Sequence, residues 1–260
     1  MRVAPKKELG QHFLVDENIL GVIGRLAELT PDDVVLEVGP GLGVLTRFLA
    51  ERVAHVHAVE LDASLEPFLH ELGENVTLHF GDALRLDLAA IAPGARKLVA
   101  NLPYNIATPL IAESLDGLPD VELWCVMVQR EVADRLFARP STKAYGAVSV
   151  LVQLTAERTG FHPVSRTVFR PPPNVSSALV AFRRTGLPDD FKHVKKVVTG
   201  AFAHRRKTLP NSLELARVAS REHAVVALTA IGREPSVRAE ALAPPEFLAL
   251  AEALVLEGRG

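Results

Sequence analysis

The chain is short of cysteine: its only one, Cys125, rules out an intrachain disulfide. Cys125 lies in the apolar run from Leu123 to Val128, where an inert core thiol is expected rather than a nucleophile. No cysteine–histidine grouping has zinc-ligand spacing and the nine histidines are scattered, so no metal site is expected. No apolar run approaches the ~18 residues that span a bilayer. The basic stretch Met1 to Gly10 lacks the apolar segment of a secretion signal. These absences predict a cytoplasmic protein without a membrane partner. Internal repeats and low-complexity tracts are missing too, and no long apolar face is left over, so a monomer is expected. Net charge is nearly absent at −2, which by itself argues for no polyanionic partner.

Hydrophobic residues make up 48% of the 260 positions, ample for a packed core in one large domain or two smaller ones. The distribution of charge says more than its sum. Residues 183–221 hold ten Lys/Arg against three acids, a surplus of seven positive charges, and the rest of the chain carries nine net negative ones. An acidic body with a basic segment fits local attachment to phosphates.

The first two-thirds alternates short β-branched runs with amphipathic stretches. Strands are predicted at Val34–Val38, His55–Leu61, Val76–Phe80, Lys97–Ala100 and Val121–Val128, with helices over Val44–Val53, Asp62–Leu72 and Ile106–Leu115. That rhythm predicts βαβ units and a parallel sheet. After Ser141 it changes. Ala147–Thr155 reads as a helix. Arg158–Phe161, Arg166–Phe169 and Ser177–Arg183 read as strands punctuated by Pro163 and Pro171-Pro172-Pro173, the texture of an antiparallel sheet edge. From Thr185 the patterns are helical, and Pro244-Pro245 opens a last helix ending near Leu256. A boundary at 184–188 would separate a first domain, 1–185, from a helical one, 186–260.

Asn101-Leu102-Pro103-Tyr104 sits where the strand 97–100 ends, the edge at which open α/β sheets bind ligands. An Asn amide donates and accepts at once, Pro fixes the backbone so that the preceding carbonyl can face a ligand, and a Tyr ring offers a stacking face. Together they suit the exocyclic amine of a nucleobase, and the tetrapeptide resembles the N-(L/P)-P-(Y/F) motif of adenine-N6 methyltransferases. Glu37-Val38-Gly39-Pro40-Gly41-Leu42-Gly43 joins the first strand to the first helix, its glycines letting the backbone pass close to a ligand. The G-x-G-x-G pattern departs from the dinucleotide fingerprint, since Val44 stands where a glycine would be needed. Glu60, 17 residues past Gly43, ends the second strand and suits ribose hydroxyls. Asp82 follows the third and suits an adenine amine.

E-V-G-P-G-L-G, V-E-L-D, G-D-A-L and N-L-P-Y, in this order, resemble the Rossmann-like class I methyltransferases that use S-adenosyl-L-methionine. Three further segments narrow the resemblance: L-G-Q-H-F-L from Leu9, Q-R-E-V-A-D-R-L leading to K-A-Y-G-A-V-S-V from Gln129 to Val150, and F-A-H-R-R-K-T-L leading to Asn211-Ser212-Leu213. With F-R-P-P-P-N-V-S-S from Phe169 to Ser177, they are similar to the small-subunit ribosomal RNA adenine dimethyltransferase family over nearly the whole chain. Its bacterial members dimethylate two adjacent adenosines near the 3′ end of small-subunit rRNA. The resemblance implies an α/β fold, a Rossmann-like methyltransferase sheet with a small helical C-terminal domain. It implies a cofactor site of Gln11, His12, Leu14, Gly39, Gly41, Glu60, Leu61, Asp82, Ala83 and Asn101. It implies a catalytic group of Asn101, Leu102, Pro103, Tyr104 and Phe169, with Tyr104 and Phe169 as stacking faces for the target adenine. Arg205, Arg206 and Lys207, with Lys195 and Lys196 behind them, would hold RNA of the immature small ribosomal subunit. Two positions depart from the family's habit: His12 stands where Asn is common, and Arg170 where a small polar residue is.

Two other readings share parts of this pattern. A large-subunit rRNA adenine methyltransferase of the macrolide-resistance type has the same cofactor half, but the K-A-Y-G-A-V-S-V and R-R-K-T-L…N-S-L segments favour the small-subunit type. A nucleic-acid-binding assembly or transcription factor could keep the fold without the chemistry; the intact Gly39, Glu60, Asp82 and Asn101 argue against that. A dinucleotide oxidoreductase is disfavoured by the glycine spacing.

Overall fold

Runs of β-branched and apolar residues bounded by glycine, proline and acids set the strands. In the computed structural model, which describes residues 11–69 and 71–257, these are β1 (Phe13–Leu14), β2 (Val34–Val38), β3 (His55–Glu60), β4 (Val76–Phe80), β5 (Lys97–Asn101), β6 (Leu123–Gln129), β7 (Ala156–Val164), β8 (Phe169–Arg170) and β9 (Ser177–Arg184). Seven of them form one sheet in the order β4-β3-β2-β5-β6-β9-β7. The pairs from β4 through β6 are parallel, and β9 runs antiparallel to β6. The chain leaves β2 toward β3 and β4, then returns to lay β5 on the other side of β2. That reversal opens a crevice at the carboxyl ends of β2 and β5.

Buried central strands carry near-continuous apolar sequence, as LWCVMVQ does in β6, where Leu123 to Val128 are all buried. Cys125 is among them, and burial pushes its thiol up to about 12, far from nucleophilic use at neutral pH. Trp124 stacks on Phe182 of β9 with ring centroids 5.2 Å apart, and its indole N–H donates to the Ser114 hydroxyl at 2.9 Å. Arg184 closes the helix Ala107–Gly117, donating to the carbonyls of Leu115, Leu118 and Val121 at 2.7–2.9 Å.

Two local expectations change. The helix predicted over 62–72 is a 3-10 turn, Ala63–Leu65, followed by one α-turn, Glu66–Leu69; Pro67 lacks the N–H that a longer ladder needs. The strand predicted over Arg166–Phe169 is a 3-10 turn, Arg166–Val168, entered through Ser165, whose hydroxyl accepts from the Thr167 N–H. β7, with Pro163 near its end, is the sheet edge.

The chain forms two compact units. The first comprises the chain through Ala133 together with Glu157–Arg184; the second comprises Asp134–Ala156 and the chain from Thr185. The second unit thus includes the helix Ala147–Thr155, which the sequence alone assigns to the first domain. Within the second unit the buried Tyr145 hydroxyl donates to the Leu242 carbonyl at 2.9 Å, and the Tyr145 ring meets Phe202 edge-on. These two contacts hold 134–156 against the later helices.

No helix among the described residues is long and apolar enough to cross a membrane. None of their His, Cys, Asp and Glu side chains group as a metal site.

Candidate active site

The crevice at the ends of β2, β3 and β5 is lined by five segments: Gln11–Leu14, the Gly39–Leu42 turn, Glu60 and Leu61, Asp82 and Ala83, and Asn101–Ile106. All ten residues expected for a cofactor line this one crevice, as do Leu102, Pro103 and Tyr104. Leu9 and Gly10 of the L-G-Q-H-F-L segment lie outside the described residues, as does the rest of the basic stretch from Met1.

The turn needs glycine where it touches its neighbours. Gly39 has φ +78°, and a Cβ there would approach the Pro103 ring at 3.0–3.1 Å. Gly43 has φ +75°, and a Cβ would press on Leu72 at 2.6 Å. Glu60 holds the turn from the side: its carboxylate accepts from the N–H of Gly41 at 3.1 Å and of Asp62 at 2.9 Å. Burial raises the Glu60 carboxyl above its usual range, while those two backbone N–H groups pull it back. Asp82 accepts from the Leu84 N–H at 2.9 Å and faces the exposed Arg85 across 3.4 Å.

The Asn101 side-chain amide donates to the backbone carbonyl of His12 at 3.3 Å. Its Oδ1 is left without a partner among the described residues and so remains available as an acceptor. The N–H of Leu102 donates to the Met127 carbonyl at 3.1 Å, extending the β5–β6 ladder into the Asn101–Tyr104 turn. Tyr104 is tied by its hydroxyl to Ser177 at 2.6 Å, and burial raises its phenol. Its ring lies 5.5 Å from the imidazole of His12, tilted by 33°. His12 in turn meets the Pro171 carbonyl through Nδ1 at 2.8 Å; a carbonyl only accepts, so Nδ1 carries the hydrogen.

Phe169, expected as a second stacking face, is the exception. It is only 1% exposed, packs in the core with Leu14, Ile19 and Leu179, and does not line the crevice. Its pairing opposite Leu14 in the small β1–β8 sheet leaves the ring packed among those core residues.

Sequence reasoning also passed over Glu37. It lines the crevice, is 1% exposed, and its Oε2 has no hydrogen-bond partner. Burial pushes its carboxyl up to about 8; Thr46, close by without completing a hydrogen bond, pulls it down, and Glu60 pushes it up further. The signal was present, since Glu37 opens the quoted glycine segment. Asp62, two residues past Glu60, was passed over as well: it accepts from the Gln11 amide at 3.1 Å and joins the approach segment to β3.

Of the basic residues, Arg206 and Lys207 are exposed in the turn after the helix Phe191–Ala203, and Lys196 is exposed on that helix. Lys195 on the same helix is half-buried. Arg205 is engaged within its own unit, donating to the Tyr145 carbonyl at 3.1 Å and pairing with Glu240 at 3.6 Å.

The family model for ribosomal RNA adenine dimethylase matches residues 3–252. The chain belongs to that family. A relative from Rubrobacter xylanophilus, named ribosomal RNA small subunit methyltransferase A, is 50% identical over 250 residues, covering 95% of this chain and 94% of the relative. Among solved structures, a dimethyladenosine transferase from Plasmodium falciparum has the same fold, with a TM-score of 0.75 at 23% identity over 95% of this chain and 98% of that one. The 23S rRNA methyltransferase ErmE gives 0.62 at 28% identity over 94% and 99%. As an rRNA adenine dimethylase the chain is a methyltransferase. Gly39 and Gly41 of the turn, the buried Glu37 carboxyl and the carboxylates at successive strand ends fit S-adenosyl-L-methionine.

Proposed function

We propose that the protein dimethylates N6 of two adjacent adenosines near the 3′ end of small-subunit rRNA, acting as a cytoplasmic monomer on the immature small ribosomal subunit. The observation that carries the chemistry is the Asn101 amide, donating to His12 and leaving Oδ1 as an acceptor over the crevice. The name carried by the 50% identical relative supports the small-subunit choice.

The N6 lone pair of adenine is delocalised into the ring, so the amine is a poor nucleophile. S-adenosyl-L-methionine supplies a methyl group already activated on its sulfonium. The protein's part is placement. Asn101 Oδ1 and the Leu102 carbonyl accept hydrogen bonds from the N6–H groups, two in adenosine and one after the first transfer, favour a pyramidal nitrogen and aim its lone pair. Tyr104 offers its ring as a stacking face while Ser177 fixes its hydroxyl. The adenosine must leave its stack to enter. Arg206 and Lys207 hold backbone phosphates, which position the RNA without reading sequence.

The direct test supplies tritiated S-adenosylmethionine, small subunits lacking the dimethylation and, in parallel, large-subunit rRNA. Label recovered as N6,N6-dimethyladenosine in small-subunit rRNA alone is the expected result. Label in large-subunit rRNA would transfer the chain to the resistance-type reaction.

A further inference from the structure

The segment 170–176 is tied at both ends to residues of the crevice. At its start the Pro171 carbonyl accepts from His12 at 2.8 Å, and β8 sets Arg170 opposite Phe13. At its end Ser177 meets the Tyr104 hydroxyl at 2.6 Å. Between these anchors Pro171, Pro172, Asn174, Val175 and Ser176 are exposed. Three consecutive prolines carry no N–H and stiffen the backbone, so the segment is a fixed rim rather than a loose loop. Arg166 braces it by donating to the Asn174 carbonyl at 3.3 Å.

Arg170 stands at the head of this rim with its side chain exposed, and it makes no hydrogen bond or ion pair with a described residue. A guanidinium left unpaired one residue from the anchor of His12 is chemically suited to a phosphate, which it can grip bidentately. We propose that Arg170 is a positioning residue that holds the RNA backbone phosphate beside the flipped adenosine, delivering the base to Asn101 and Tyr104. This rests on the reading of the site as an RNA adenine methyltransferase. It adds to it a phosphate contact on the first unit, separate from the basic turn of the second.

The test compares wild type, Arg170→Ala and Arg170→Lys with unmethylated small subunits across a salt series, following methyl transfer as subunit concentration is varied. S-adenosylmethionine affinity, measured by calorimetry on the same preparations, reports that the crevice is intact. Arg170→Ala is expected to raise the half-saturating subunit concentration about tenfold. It should lower the salt slope by about one and leave cofactor affinity as in wild type. Arg170→Lys keeps the charge and loses the bidentate grip, and so should fall between. Wild-type activity together with unchanged saturation and salt slope in Arg170→Ala overturns the phosphate role alone. No transfer by wild type to any rRNA overturns the methyltransferase reading and this proposal with it.

Discussion

Asn101 and His12, 89 positions apart in sequence, are joined by a hydrogen bond of 3.3 Å from the side-chain amide of the first to the backbone carbonyl of the second. The bond orients the amide, so Oδ1 is set as an acceptor before any substrate arrives. Pre-set orientation is where most of the rate advantage of such sites originates.

Replacing Asn101 by Ala removes that acceptor. Turnover in single-turnover methyl transfer is expected to fall by a factor on the order of 100 to 1,000, the usual cost of one preorganised hydrogen-bonding group. Cofactor affinity should fall much less. Near-normal turnover in the variant would dismiss the placement mechanism.

Tyr104 separates ring from hydroxyl. Tyr104→Ala should cost roughly 1–3 kcal/mol in kcat/KM through lost stacking. Tyr104→Phe loses only the bond to Ser177, worth about 1 kcal/mol. Equal losses in the two variants would mean that the hydroxyl, not the ring, matters.

Gly39→Ala tests the contact between the two turns. A methyl group 3.0 Å from Pro103 Cδ, at φ +78°, must displace the Asn101–Tyr104 turn. Methyl transfer should therefore drop more than cofactor binding, a ratio read from kcat beside a calorimetric Kd. A pure binding defect would contradict this.

Glu37 gives the protein an alkaline liability. Its folded carboxyl is pushed up to about 8 from an ordinary 4.5, so the folded state keeps a proton that the unfolded chain releases. This stabilising contribution is complete below pH 4.5 and is lost as pH rises toward 8. Cofactor-free Glu37→Gln should melt above wild type at pH 8, with the gap shrinking by pH 5. A gap independent of pH would show that Glu37 does not titrate in this range.

His57 and His79 act in the opposite sense. Burial, helped by neighbouring imidazoles, holds both below the ordinary 6.5. His57 Nδ1 and His79 Nε2 are buried without partners. Stability is full above pH 6.5 and is lost as pH falls below it, because the unfolded chain takes up the protons first. Thermal melts between pH 7.5 and 5.5 should show a shallower decline for His57→Gln than for wild type.

Much of the crevice lining was readable because it is built at strand ends, where a local pattern of apolar run, turn and acid reports position. Glu60, Asp82 and the Asn101 turn fall in one crevice for that reason. What escaped depends on distant pairing. Nothing near Phe169 in sequence tells which way its ring faces; packing with the distant Ile19 and Leu179 decides that. Glu37 looks like any acid at a strand end until neighbouring strands and Thr46 enclose it. The membership of 134–156 in the second unit rests on bonds such as Tyr145 to Leu242, 97 residues away.

The placement of the aromatic residues gives the two units separate optical signatures. The chain's one tryptophan, Trp124, is sealed in the sheet of the first unit against Phe182, and no tryptophan lies in the second. Emission excited at the red edge of indole absorption therefore reports loosening of the catalytic sheet alone, with no added label. Circular dichroism in the far ultraviolet also includes the helices of the second unit. Any interval between the two melting curves measures how independently the units open.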